Sequence, residues 1–192
     1  SNMAAGATVG SNHNSRANDN EVVAGRGFWP GLCTSVKHSS VFASYVLLAK
    51  GAYPAEMHIR LPFSMVSNNE GAWRLEIVPA FWWIYNMYAL ERNSWKYQTR
   101  DKRVTKIQNI EFDTYAPDSM EEAFEARALL EEWTGRAALG EKAGGCGTEE
   151  LRAAGRSLLE GEPSRAETLE VCAAGAEKSS RKVLVRHPYK AY

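Results

Sequence analysis

The chain has 192 residues, 44% apolar and 24% charged, with a formal net charge of zero. That is enough for one sizeable core, or a core with a small appendage, in an ordinary globular protein. The richest apolar stretch, Ile77 to Leu90, is broken by Asn86 and falls short of the roughly eighteen residues a membrane-spanning helix needs, so no membrane partner is expected.

The neutral total hides two unequal halves. Residues 1–110 hold 12 Lys/Arg against 7 Asp/Glu, and residues 111–192 hold 11 against 16. The sign changes where composition turns from aromatic and Gly-rich to Ala/Glu-rich, so a boundary is placed between Lys106 and Pro117, and the halves should attract each other. The three cysteines, Cys33, Cys146 and Cys172, are far apart in sequence. Their odd number and spacing argue against a disulfide framework and for a reducing, cytoplasmic setting, and no Cys/His pairing suggests a metal.

Ser1-Asn2 before Met3 has the form of a tag scar, so residues 1–3 are set aside. The chain then opens directly in AAGATVGSN and reads as part of a longer protein. Between Val23 and Met65 a step of six picks out Val23, Trp29, Ser35, Val41, Leu47, Tyr53, Ile59 and Met65, seven of the eight apolar. Short strands wound into a three-sided coil would show this period, one side chain per hexad pointing inward. An irregular antiparallel sheet accounts for the same residues. Tyr45 to Lys50, ended by Gly51, is the best single strand. Ser67 to Gly71 forms a turn, and Trp73, Leu75 and Ile77 alternate with polar neighbours as a half-buried strand. Pro79 opens an aromatic helix running to about Lys96, apolar on most sides and so expected to be buried on more than one face.

Three helices follow in the acidic half. The first starts at Asp118-Ser119 with Glu121-Glu122 as a capping box, and the glycines from Gly140 to Gly147 end it. The second starts at Thr148 and stops at Gly161-Pro163. The third opens at Ser164 with Glu167 and runs to about Glu177. Lys182 to Arg186 fits either helix or strand.

The strings GSNHNSR, GRGFWPGLCTSVKHSSVFASYVLLAKGAYPAEMHIRLPFSMVSNN and PAFWWIYNMYALERNSWKYQTRDKR resemble a family of uncharacterised bacterial proteins. That family is related to hexapeptide-repeat acyltransferases and sugar-nucleotide transferases. The resemblance covers about residues 6–135. It implies a left-handed parallel β-helix followed by a helical region, and a homotrimer with sites between neighbouring coils. The expected fold is thus mixed β and α: a short left-handed β-helix over 4–66, a strand and packed aromatic helix over 67–110, and a C-terminal helical region over 111–192.

His13, flanked by Asn12 and Asn14, is the candidate general base, since a neutral imidazole can take a proton from an attacking hydroxyl or amine. An Asn/Ser/His turn that satisfies its own backbone is the alternative. Arg16 and Arg26 are candidates to grip phosphate or carboxylate through paired N–H groups. Gly25 and Gly27 would let a ligand approach the backbone. Trp29 can stack on a base or sugar ring, or cap the coil. His38, among hydroxyls, either joins His13 or is an ordinary surface histidine. From Arg92 to Lys106 six basic residues face one acid. That run is read as a solvated helix end rather than a grip on nucleic acid. Two functions are expected: a transferase on an acyl donor or nucleotide sugar (acyl-CoA or nucleotide sugar as substrate, no bound cofactor), or a non-catalytic scaffold or small-molecule-binding module.

Overall fold

The protein is described from a computed structural model, which covers residues 1–11 and 21–192. Among the described residues nine short strands open the chain: β1 (Thr8–Ser11), β2 (Val23–Ala24), β3 (Trp29–Pro30), β4 (Ser35–Lys37), β5 (Val41–Phe42), β6 (Leu47–Leu48), β7 (Ala52–Tyr53), β8 (His58–Ile59) and β9 (Met65–Asn69). They form three parallel ladders that the chain visits in rotation, β1-β4-β7, β2-β5-β8 and β3-β6-β9. Val23 lies beside Val41, Val41 beside His58, Trp29 beside Leu47 and Leu47 beside Met65, all in parallel register.

Hydrogen bonds between successive layers hold these two-residue strands. Val41 N donates to Met57 O (2.8 Å), Ala43 N to Ile59 O (2.8 Å), Leu47 N to Ser64 O (2.9 Å) and Ala49 N to Val66 O (2.8 Å). The corners are tight. Gly27, Cys33, Ser39 and Tyr45, six residues apart, all have positive φ (70°, 52°, 63° and 58°). For the three non-glycine residues this left-handed backbone costs about 1–2 kcal/mol each. Packing on both sides of each corner must offset it.

The six-residue step marks the strands, but it misplaces the inward side chain. Pro30, Val36, Phe42 and Leu48 are the buried positions, one residue after the expected ones. The spacing then contracts to five at Tyr53 and stretches to seven between Ile59 and Val66. Tyr45 sits at a corner and not in a strand, so the expected strand from Tyr45 shrinks to Leu47–Leu48.

The third ladder does not stay parallel. Strand β9 turns back into β10 (Arg74–Val78), antiparallel to it, with Leu75 and Ile77 buried. Trp73 stands in the turn, exposed and at positive φ, instead of on the buried face. From the C-terminal part of the chain β12 (Lys182–Val185) adds in parallel to β10, and β11 (Val171–Cys172) pairs antiparallel with β12. The result is a six-stranded mixed sheet. A left-handed β-helix is therefore not shown. The structure is a mixed α/β arrangement with two parallel ladders and one mixed sheet, because the hexad spacing slips after Leu48 and the chain reverses at β9.

Two helices replace the single aromatic helix. Helix α1 (Phe81–Tyr85) and helix α2 (Met87–Arg100) are separated at Asn86, whose ψ of 35° with φ of −147° departs from helical geometry. Trp82 and Leu90 are buried, but Tyr85, Met87, Tyr88 and Trp95 are exposed, so the helix is not buried on several faces. Three helices then follow, α3 (Pro117–Leu139), α4 (Thr148–Gly161) and α5 (Pro163–Thr168); α5 stops well before Glu177 because the chain must enter β11. A short helix α6 (Pro188–Ala191) closes the chain. Ser119 does act at the start of α3: its hydroxyl accepts from Ala116 N (3.2 Å) and donates to Thr114 O (2.7 Å). Among the described residues no helix is long and apolar enough to cross a membrane.

Buried polar links tie the acidic half to the ladders. Arg181 pairs with Glu177, both nearly fully buried, and its Nη1 donates to Asn68 Oδ1 at 2.6 Å. His58 N donates to Ala176 O (2.8 Å) and Lys178 N to Glu56 O (2.9 Å), so this stretch lies along the ladder edge. Removing one partner of a buried ion pair costs about 3–5 kcal/mol, because it strands the other charge.

Helices α3 and α4 cross closely at Gly135 and Gly155. A Cβ on Gly155 would lie 1.8 Å from Glu131 O, and one on Gly135 1.9 Å from Leu151 O. Gly155→Ala should therefore force the helices apart and lower the Tm on the order of 5–10 °C. Gly144→Ala, with nothing within 4 Å of the added carbon, should leave the Tm within about 2 °C in the same calorimetric scan.

Candidate functional site

A cleft of about 880 Å³ lies between the β2–β3 region and helix α2. A strap over residues 109–114, which leads from α2 towards α3, forms its outer wall. The aromatic walls are built in sequence. Trp82 Nε1 donates to Tyr45 O (2.7 Å), fixing the indole against the ladder corner, and Trp29 stacks on Trp82 with centroids 5.6 Å apart. Phe63 stacks between Tyr45 (4.8 Å) and Trp83 (4.4 Å) and so braces Tyr45 from behind. On the far side Tyr97 of α2 stacks on Phe112 of the strap at 5.0 Å. Asn93, Ser94 and Asn109 add amide and hydroxyl groups, and Lys96 adds a cation. Partial burial, with Arg92 and Arg100 nearby, pulls the Lys96 ammonium below its usual pKa. None of the described ion pairs involves Lys96.

Arg26 stands at the edge of this cleft and is already engaged. Its Nε and Nη2 donate to Asp118 Oδ2 (2.6 Å) and Oδ1 (2.8 Å), and Nη1 donates to Asp113 O (2.8 Å) and reaches Tyr45 Oη (3.4 Å). The guanidinium thus pins the strap and the start of α3 onto the ladders. Nearby, Ser44 N donates to Glu122 Oε2 at 2.7 Å. Gly25 and Gly27 make room for the next layer and not for a ligand: a Cβ on Gly25 would meet Ser44 N at 2.6 Å, and one on Gly27 the Tyr45 ring at 2.3 Å.

The other sequence candidates are scattered. His13, Asn12, Asn14 and Arg16 lie outside the described residues. Trp29 is in the cleft wall. His38 does not line the cleft; it is 6% exposed, with no hydrogen-bond partner found for its Nδ1, so it is not a surface histidine. Among the described residues no group of His, Cys, Asp or Glu has the arrangement of a metal site, and Cys33, Cys146 and Cys172 are free thiols. Sequence reasoning missed Tyr45, Tyr97 and Phe112. Tyr45 stands in an apolar run read as a strand, Tyr97 counts among the aromatic anchors and in the basic run, and Phe112 carries no local signal at all.

No family model and no solved structure matches the chain. An uncharacterized protein of Treponema pallidum (strain Nichols) is 48% identical over 191 residues, which is 100% of this chain and 25% of that protein. The chain thus spans about a quarter of the length of the curated relative it matches. The resemblance to hexapeptide-repeat acyltransferases and sugar-nucleotide transferases is corrected by these findings. A six-residue rhythm belongs to any stack of short strands with tight corners and names no enzyme family.

The hydrogen bond from Arg26, aided by its charge, holds the Asp118 carboxyl below the usual carboxylate range. A depressed carboxyl contributes stability that is present above its unfolded value near pH 4 and is lost as pH falls through the lower folded value. Asp118 is half exposed, so solvent screens the contribution to a small one. Arg26→Gln should remove this pH-dependent component, which lies below about pH 4. Denaturant unfolding of both proteins across that range checks it, and the two stability curves should converge at the acid end.

Proposed function

We propose that this chain is a ligand-binding module within a longer protein, and that the cleft beside α2 takes a small molecule carrying a ring and an anionic group. The observation that carries this reading is the pairing of two prebuilt aromatic walls with one cation. Trp29–Trp82 and Tyr97–Phe112 offer ring faces, and Lys96 lines the same cleft outside the described ion pairs, with Glu111 also in the lining. Polar amides line a volume within the ordinary range for small-molecule sites. Nucleotide sugars and acyl-CoA species both have this chemistry.

A transferase acting on such a molecule is the second reading, favoured by the cleft's capacity for a whole nucleotide sugar. It needs His13 as base, with Arg16 or Arg26 on a phosphate. No histidine stands among the described residues lining the cleft, and Arg26 already grips Asp118, so the binding reading comes first.

The finer reading of the fold is that the three ladders form the sides of a short left-handed coil. The left-handed corners at Gly27, Cys33, Ser39 and Tyr45 support it. The three free thiols support a reducing, cytoplasmic setting. A homotrimer rested on the enzyme resemblance and loses its support with it.

Thermal unfolding against nucleotide sugars, acyl-CoA species and simple phosphates tests the function. A ligand at about a hundred times its Kd adds roughly 2.7 kcal/mol, a Tm rise on the order of 5–10 °C. One class should give that rise, and Lys96→Ala or Trp29→Ala should abolish it. If turnover of that ligand is also found and His13→Ala removes turnover without removing the Tm rise, the transferase reading replaces the module. No shift with any class sinks both readings.

A further inference from the structure

Beyond the cleft, the segment joining α2 to the strap carries apolar side chains that none of the described residues covers. Asp101 accepts from the Arg103 backbone N (3.2 Å) and from its Nε and Nη2 (2.8 Å each), and Arg103 Nη2 also donates to Tyr97 Oη (3.0 Å). Phe112 returns to stack on the ring of that same Tyr97. The excursion from Val104 to Glu111 is therefore pinned at both ends to one residue of α2. At its tip Val104 is 101% exposed and Ile107 88% exposed. Lys102 and Lys106 flank the tip, and Arg100 ends the helix beside it; Lys106 reaches Asp101 at 3.8 Å and none of the described ion pairs involves Lys102 or Arg100.

At 100° per residue Tyr88 and Trp95 lie on the side of α2 opposite Tyr97, away from the excursion, whereas Arg100 lies about 60° from Tyr97 and so on the excursion's side of the helix end.

We propose that the tip over residues 102–107 docks on an anionic lipid surface. Val104 and Ile107 enter the headgroup boundary, and Lys102, Lys106 and Arg100 meet lipid phosphates and carboxylates. This needs no spanning helix. Aliphatic tips have no ring face for a base, so the arrangement suits lipid better than a nucleic-acid strand. An acidic protein segment would answer the charges and leave the tip residues unanswered.

Co-sedimentation of the 192-residue chain with phosphatidylcholine vesicles, with and without phosphatidylserine, tests the proposal. Binding should require phosphatidylserine and weaken with salt. Lys102→Gln should lower affinity about fivefold, the effect of one cation near such a surface. Val104→Asp with Ile107→Asp should lower it at least about tenfold. Both changes fall on exposed side chains, and an unchanged circular dichroism spectrum and Tm would show that the fold persists. The proposal is overturned by absent binding to anionic vesicles, or by binding that the double variant leaves intact. Capture of a single-stranded oligonucleotide without vesicle binding also overturns it and assigns the cations to nucleic acid.

Discussion

Strands of two residues cannot stand alone, and the rest of this protein depends on how they are held. Each one bonds only to the strand a layer above and a layer below, and the chain must turn a tight corner to reach the next ladder. The corners at Cys33, Ser39 and Tyr45 adopt left-handed backbone without being glycine. They persist because both flanks are fixed: Phe28, Val36, Phe42, Val46 and Leu48 fill the interior, and backbone pairs such as Val41 N to Met57 O close the layers. Strain at the corners and burial inside are one constraint seen from two sides.

Tyr45 carries that constraint into the cleft. Its left-handed backbone sets the ring over Gly27, its carbonyl accepts from Trp82 Nε1, and its ring stacks on Phe63. Trp29 then lies on Trp82, and one wall is complete. The opposite wall comes from α2 and the strap, and Arg26 clamps the strap through Asp118 and Asp113. The basic and acidic halves of the chain thus meet at the edge of the site. Among the described ion pairs the bidentate pair of Arg26 with Asp118 joins them, beside the Ser44–Glu122 and Arg181–Asn68 bonds. For the proposed ligand, a pinned strap and an aromatic wall already in place would lower the ordering cost of binding.

Much of this was legible in the sequence where the signal was local. The six-residue step found β2 to β9, since a stack of short strands writes its period into the chain. Pro117, Thr148 and Pro163 opened helices close to where capping patterns placed them. The inward phase was not legible: buried positions fall one residue later up to Leu48 and then slip, and apolar corner residues such as Tyr45 mask the shift. The break at Asn86 was visible as a polar residue in an apolar run, but its effect on the helix was not. Strand β11 was hidden and β12 stayed open between helix and strand, because β11 pairs with β12 and β12 pairs with β10, about a hundred residues earlier. The cleft was hidden for the same reason: Tyr45, Tyr97 and Phe112 meet only after the strap closes, and His13 offered a more familiar chemistry.

Hydrogen exchange, read by mass spectrometry on the 192-residue chain with and without the ligand class that raises its Tm, tests the central claim most directly. If the cleft is the site, added protection falls on residues 24–29, on 93–97 and on the strap over 109–114, while the far strands β11 and β12 exchange as before. Protection confined to the segment around His38, or spread evenly over the chain, would contradict the account and move the site elsewhere.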